Sequence, residues 1–255
     1  RVIVRPPARR CRAVARTGGR ERASGELVCF LDDDMELVPG FLRAHHELHA
    51  GGARVSGIGN VVNHPEVTMA PVDRYMSTRG AQKIKTRGPL PWRYFSTNNS
   101  SVLRADLDAV GGFDEDFRYY GFEDLEIAYR LQRQRGLEFR FVEEARSLHI
   151  HPHTLKEVME KKVLCGRSSL RVLFRKHPEL RETLGFHRFD RPGLSGGARL
   201  NLERAVFALL FTPPVAALVK PFATLPLGEF TNRCLDYLVQ YHYLVGLRGP
   251  ELERS

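Results

Sequence analysis

The sequence reads as an α/β protein, a mixed sheet flanked by helices, with a helical C-terminal extension. Three observations carry this. Leu27, Val28, Cys29, Phe30 and Leu31 form an unbroken apolar run that ends on Asp32, Asp33 and Asp34. Such a run predicts a strand buried on both faces, as in a parallel sheet, and ligands of open α/β sheets sit beyond the carboxyl ends of strands. Further short strand-like runs alternate with helical periodicity up to about residue 153, and helical patterns dominate beyond it. The 255 residues suffice for one α/β domain and an appendage, expected at 1–153 and 154–255.

Composition narrows the function classes. The net charge of +9 is carried mostly by Arg, yet no block of five or six like charges occurs. A nucleic-acid tail is therefore not indicated; an anionic lipid surface or a phosphate-bearing substrate suits the charge, and Arg-rich codon usage is the plain alternative. Cys11, Cys29, Cys165 and Cys234 make no C-x-x-C pair, which argues against a zinc ribbon or a redox motif and suits a reducing compartment. The chain opens on Arg1 with no apolar signal segment, and Val2, Ile3 and Val4 look like a strand, as if the chain began part-way through a fold.

Taken in order, residues 8–23 predict a helix leading into the 27–31 strand, although Gly18 and Gly19 weaken it. Three adjacent carboxylates then repel one another. A divalent cation held by oxygen ligands would neutralise them; a solvated Asp turn is the alternative. Pro39 opens a helix that runs to about Ala50. His45 and His49 lie four apart on it, a zinc-competent spacing, but without a third ligand a solvated face is the expectation. Residues 53–62 predict a strand, a short helix is expected near Tyr75, and 83–91 a basic Gly/Pro loop. Trp92, the only Trp, can stack on a sugar ring at the loop's base or simply pack.

Residues 93–103 read as a strand with a polar middle around Asn99, as in the wall of a polar cleft. A short helix ends at Gly111 and Gly112. A helix is expected from Glu123 to Arg135, stopped by Gly136, with a Glu126–Arg130 pair and an apolar face of Leu125, Ala128, Tyr129 and Leu131. Glu123 and Asp124 occupy its first turn. There they either favour the helix dipole or face a cleft as a general base, whose pKa the dipole should hold low. Residues 138–142 and 146–150 predict two short strands, after which His149, His151 and His153 alternate, and an imidazole there could complete a metal site begun by the Asp run. Beyond, 155–177 reads as one basic helix and 190–197 as a linker. Two apolar runs at 205–211 and 215–219 flank Pro213 and Pro214. Each falls well short of the ~20 residues of a membrane span, so a helical hairpin packed on the domain or lying in a membrane interface is expected.

Four landmarks thus stand in order: Leu31-Asp32-Asp33-Asp34; Asn99-x-Ser101-x-x-Arg104; Gly111-Gly112-Phe113-Asp114-Glu115; and Gly121-x-Glu123-Asp124-x-Glu126-x-x-Tyr129-Arg130-Leu131, with His149 behind them. The set resembles family-2 glycosyltransferases with the GT-A (Rossmann-like) fold, and its later half resembles the galactosyltransferase-type region of chondroitin polymerases and polypeptide N-acetylgalactosaminyltransferases. The resemblance implies a metal-dependent hexosyltransferase of polysaccharide biosynthesis. It implies Mn2+ or Mg2+, a nucleotide-sugar donor, a glycan or lipid-linked acceptor, and inverting transfer. Asp34 would ligate the metal, Asp32 would reach it or the ribose, and His149 would complete the site. Arg16, in an Ala-Arg-Thr stretch, and Asp33 would bind donor; Trp92 and Asn99 would line the acceptor side. Asp124 would be the base, beside Glu123. The family's first βαβ unit, on the order of 70 residues with its neighbours, is missing ahead of this chain. A truncated, inactive module that binds membrane or partners is therefore the competing expectation, and a nucleotidyl-transfer or phosphate-binding enzyme a third. Location on the cytoplasmic inner face of a membrane, through the C-terminal helices, is expected.

Overall fold

A computed structural model describes residues 12–77, 88–193 and 197–252. The strand expected at Val2, Ile3 and Val4, and the basic core of the 83–91 loop, lie outside them. The chain divides into two compact units, Arg1–Pro152 and His153–Ser255.

The first unit runs α1 (Arg12–Arg22), β1 (Leu27–Leu31), β2 (Met35–Leu37), α2 (Phe41–Ala50), β3 (Val55–Asn63), α3 (Pro71–Ser77), β4 (Pro89–Leu90), β5 (Asn99–Leu103), α4 (Arg104–Ala109), α5 (Glu123–Arg135) and β6 (Glu138–His149). The sheet order is β1-β5-β3-β6-β2, with β4 also on β6. β3 and β6 are parallel, and every other pairing is antiparallel. The expected α/β mixed sheet flanked by helices is therefore present.

Three expectations are corrected. β1 is not buried on both faces inside a parallel sheet. Among the described residues it pairs only with β5, antiparallel, and buries Val28 and Phe30 while Leu31 is 39% exposed. One face of an edge strand suffices to anchor it. The strand expected from residue 93 begins only at Asn99, after a 3-10 turn over Trp92–Tyr94. The two strands expected after Gly136 are one, β6. Its partner register jumps from Gly59↔Val142 to Asn60↔Arg146, so Glu143, Glu144 and Ala145 bulge out of the ladder. A bulge leaves carbonyls unpaired. Here Asn60 Nδ2 donates to Glu143 O at 3.3 Å and Asn99 Nδ2 to Ala145 O at 2.8 Å.

Two cores fix the sheet. On one side α2 packs Phe41, Ala44 and Leu48 against Val142 and Ala145. Elsewhere Phe30 meets Phe113 edge to face at 5.3 Å, and Phe95 meets Phe139 at 5.7 Å. Two arginines from the sequence landmarks act as caps. Arg104 donates to the carbonyls of Arg20 in the last turn of α1 and of Ala23 and Gly25 just past it. Arg130 clamps Glu126 at 2.6 and 2.7 Å and donates to Val110 O and Gly112 O. Helix ends leave carbonyls without intrahelical partners, and guanidinium groups satisfy several at once.

The second unit is helical: α6 (Leu155–Arg167), α7 (Ser169–Lys176), α8 (Leu180–Thr183), α9 (Ala198–Leu210), α10 (Pro213–Val219) and α11 (Glu229–Arg248). The single helix expected over 155–177 is broken at Ser168, whose backbone is non-helical. α6 starts on a capping box between Thr154 and Glu157. It meets α11 backbone to backbone: a Cβ on Gly166 would lie 2.3 Å from Tyr243 O, and one on Gly246 2.3 Å from Val163 O.

Candidate active site

The C-terminal end of β1, the middle of α1 and the start of α5 come together. Arg16 joins them. Its Nη1 donates to Glu123 Oε1 at 2.5 Å, and its Nη2 lies 3.6 Å from Asp32 Oδ1. Arg16 is 12% exposed, Glu123 2% and Asp32 27%, so the pair with Glu123 is the buried one. Gly121 (φ 93) and Phe122 (φ 70) place two consecutive residues in the left-handed region. For a bulky residue such as Phe122 that conformation costs on the order of 1–3 kcal/mol. It turns the chain so that Glu123 and Asp124 open α5 at the sheet's edge of acids.

Glu123, not Leu125, is the residue of this turn that faces inward. The buried face of α5 is Glu123, Glu126, Ile127, Ala128 and Leu131; Leu125 and Tyr129 are only partly buried. The expected apolar face is therefore rotated, because the two buried carboxylates are matched by Arg16 and Arg130. Asp124 accepts from Leu125 N–H through Oδ1 at 2.9 Å. Its carboxyl is pushed up to about 6, first by burial and then by the charge of Glu123, against the pull of Arg16 and Arg12. This corrects the expectation that the helix N-terminus holds it low, since desolvation outweighs the dipole here.

Asp34 and His149 form a second cluster. Met35 of β2 is in register with His149 at the end of β6, and Asp34 Oδ2 stands 3.3 Å from His149 Nε2. Asp34 Oδ1 is buried without a hydrogen-bond partner. Asp33 is exposed. Among the described residues no group of three or more His, Cys, Asp or Glu side chains converges as a ready metal cage. Asp34 and His149 stand together, while Asp32 belongs to the Arg16 cluster. His151 and His153 follow in coil beyond the strand.

Trp92, partly buried, packs its ring on Tyr129 of α5, centroids 5.2 Å apart. Asn99 does not line a cleft. It is 1% exposed and accepts from His45 Nε2 at 3.0 Å, while its Nδ2 also donates to Ser147 Oγ at 2.9 Å. His49 Nε2 lies 3.0 Å from Ser101 Oγ. His45 and His49 thus face the sheet rather than solvent, and burial lowers both imidazoles, His49 to about 4. Gly57 and Gly59 make room for this network, because a Cβ there would lie 2.5 Å from Ser101 Oγ and 1.8 Å from Asn99 Oδ1. The two alternate glycines of β3 are the one sequence signal for it. Asn99 opposes Leu31, so the network holds the strand end that carries Asp32.

The fold is of the GT-A type, and the comparisons set this chain beside glycosyltransferases. A family model described as the N-terminal domain of galactosyltransferase matches residues 79–154. Validoxylamine A glucosyltransferase of Streptomyces hygroscopicus subsp. jinggangensis is 29% identical over 253 residues, 87% of this chain and 58% of that protein. The chain therefore spans little more than half of that relative. Chondroitin synthase of Pasteurella multocida is 40% identical over 62 residues, 24% of this chain and 6% of the synthase. Among solved structures, a mannosyltransferase from Pyrobaculum calidifontis in complex with GDP-Man and Mn2+ superposes with a TM-score of 0.55 at 18% identity, covering 97% of this chain and 69% of that one.

Proposed function

We propose that this chain carries the transfer site of a metal-dependent glycosyltransferase that moves a sugar from a nucleotide-sugar donor to an acceptor hydroxyl with inversion. The observation that carries this reading is the Asp124 carboxyl at the start of α5, raised to about 6, beside the Arg16 bridge to Asp32. A base must be ionised near neutral pH yet basic enough to take a proton, and a pKa near the working range meets both needs. With Oδ1 engaged by Leu125 N–H, Oδ2 is the atom that receives the acceptor proton. The acceptor oxygen bonds to the anomeric carbon, the bond from that carbon to the diphosphate breaks, and the proton passes to Asp124. Glu123, bridged to Arg16, keeps the Asp124 proton affinity up through its charge.

The residues fit a divalent cation. Asp34 and His149 offer oxygen and nitrogen donors, and the unpartnered Asp34 Oδ1 suits an added positive charge. Asp34 and His149 would hold it and Asp32 would support it; Mn2+ is favoured by the metal named with the mannosyltransferase, and Mg2+ suits the same donors. Such an ion supplies Lewis-acid neutralisation of the diphosphate leaving group.

The second unit supports a membrane-facing acceptor. Leu202, Leu209 and Leu218 are 67%, 75% and 70% exposed, and Phe230 52%. No single described helix is long and apolar enough to cross a membrane, but Ala198–Leu210 and Pro213–Thr224 are together apolar enough, bent by 67°. We read the pair as lying in the plane of an anionic, cytoplasm-facing membrane surface with a lipid-linked acceptor. Its test is flotation with phosphatidylglycerol vesicles. Leu209→Ser with Leu218→Ser should abolish it, and retained flotation would remove the idea.

The transfer reading is tested by nucleoside diphosphate release from a panel of UDP- and GDP-sugars with and without Mn2+. Asp34→Ala should lose Mn2+-dependent donor binding in calorimetry while keeping its melting transition. Asp124→Asn should bind donor normally and lose most transfer. Near wild-type turnover in both variants would place the chemistry on other residues, and no release from any donor would favour the non-catalytic binding module.

A further inference from the structure

The helical unit holds a cavity of about 620 Å³ lined by residues of α6 and α11, with Lys220 and Leu252. This volume falls within the ~300–1,000 Å³ range of small-molecule sites. Its wall is apolar. Leu155, Met159 and Val163 succeed one another every fourth residue along one face of α6, and α11 contributes Leu238. Its polar groups are mostly cationic. Arg167 and Lys220 line it, and among the described residues neither has a carboxylate partner. Arg167 Nε is buried without a hydrogen-bond partner. Glu160, the one acid in the lining, lies 3.9 Å from Lys156. His242 donates its Nδ1–H to Leu238 O at 2.7 Å, and burial, with the charge of Lys220, lowers its imidazole.

An apolar wall with unmatched cations calls for one ligand chemistry, a hydrocarbon chain ending in an anion. A bare anion would leave the wall wetted, and a neutral hydrocarbon would leave the guanidinium unmatched. A second observation gives the source. Lys220 stands between Leu218, 70% exposed, and Phe222, 39% exposed, in the apolar bent segment itself. The cationic lip of the cavity is therefore continuous with the surface read above as membrane-facing. We propose that the cavity takes the hydrocarbon chain of a membrane lipid whose phosphate is bound by Arg167 and Lys220. The close contact of Gly166 with Gly246 pins the two helices beside Arg167 and fixes that end of the site. The inference is independent of transfer chemistry in the first unit.

The test is calorimetric titration of the whole protein with dodecyl phosphate below its micelle concentration, beside dodecylammonium and inorganic phosphate. Dodecyl phosphate should bind once per chain, and the other two should not bind. Val163→Trp, which fills the cavity, should abolish binding. Lys220→Glu, at an exposed position that does not threaten folding, should weaken it about tenfold or more. Both variants are checked by their thermal transitions, and the vesicle flotation of Val163→Trp should persist, since the exposed Leu209 and Leu218 are untouched. Absence of dodecyl phosphate binding, equal binding of dodecylammonium, or unchanged affinity in Lys220→Glu overturns the proposal.

Discussion

Replacing Arg16 by Met tests whether the meeting of α1, β1 and α5 is electrostatic. Arg16 Nη1 lies 2.5 Å from Glu123 Oε1, with the two side chains 12% and 2% exposed. Glu123 Oε2 already lacks a hydrogen-bond partner. Removing the guanidinium strands a buried carboxylate, which costs ~3–5 kcal/mol when one partner of a buried pair is lost. The link to Asp32 is longer, 3.6 Å, and its acid is 27% exposed, so it adds no more than ~1 kcal/mol. At about 2–4 °C per kcal/mol for a chain of this size, the melting point should fall by about 6–24 °C. Urea unfolding of Arg16→Met, Glu123→Gln and the double variant closes a thermodynamic cycle. With the acid neutralised, the double variant should recover about 1–3 kcal/mol of the loss. A deficit below ~0.5 kcal/mol, or no coupling between the two sites, would refute this account of the junction.

Asp124 predicts opposite pH trends for stability and transfer. Its folded pKa is raised from 3.8 to about 6, so over that window the folded chain holds a proton the unfolded chain has lost. Its contribution to stability therefore falls as pH rises through the window, and Asp124→Asn should flatten that part of the urea-midpoint profile; transfer should instead rise with pH through about 6. Gly59→Ala places a Cβ 1.8 Å from Asn99 Oδ1, and should cost ~1–3 kcal/mol by overpacking in urea melts, with Asn99→Ala relieving part of the added loss. An unchanged urea midpoint would mean that Asn99 can leave its network freely. Thr154→Ala removes the capping box of α6 and should cost ~0.5–2 kcal/mol, whereas Thr154→Ser should stay close to wild type.

Local chemistry determined much of this protein directly. α5 runs from Glu123 to Arg135 and stops on Gly136 in the left-handed conformation, because helical spacing and a C-terminal glycine are encoded in neighbouring residues. The Glu126–Arg130 pair and the placement of Asp32, Asp33 and Asp34 just past β1 follow from short-range spacing in the same way. The ordered motifs likewise marked the GT-A class. Only the tertiary structure decided which strand is an edge, since β1 looks equally apolar whether one face or two are covered. It also decided the fate of the histidines. A His pair four apart on α2 looks alike facing water or a sheet; what turns it inward is Asn99 and Ser101, 54 and 52 residues away. The Arg16–Glu123 contact spans 107 residues and seats Glu123 on the buried face of α5, where burial and the charge of Glu123 raise Asp124 against the pull of Arg16. Periodicity records which residues share a face. It does not record which distant residue meets that face, and for a buried charge or amide that partner sets the energy.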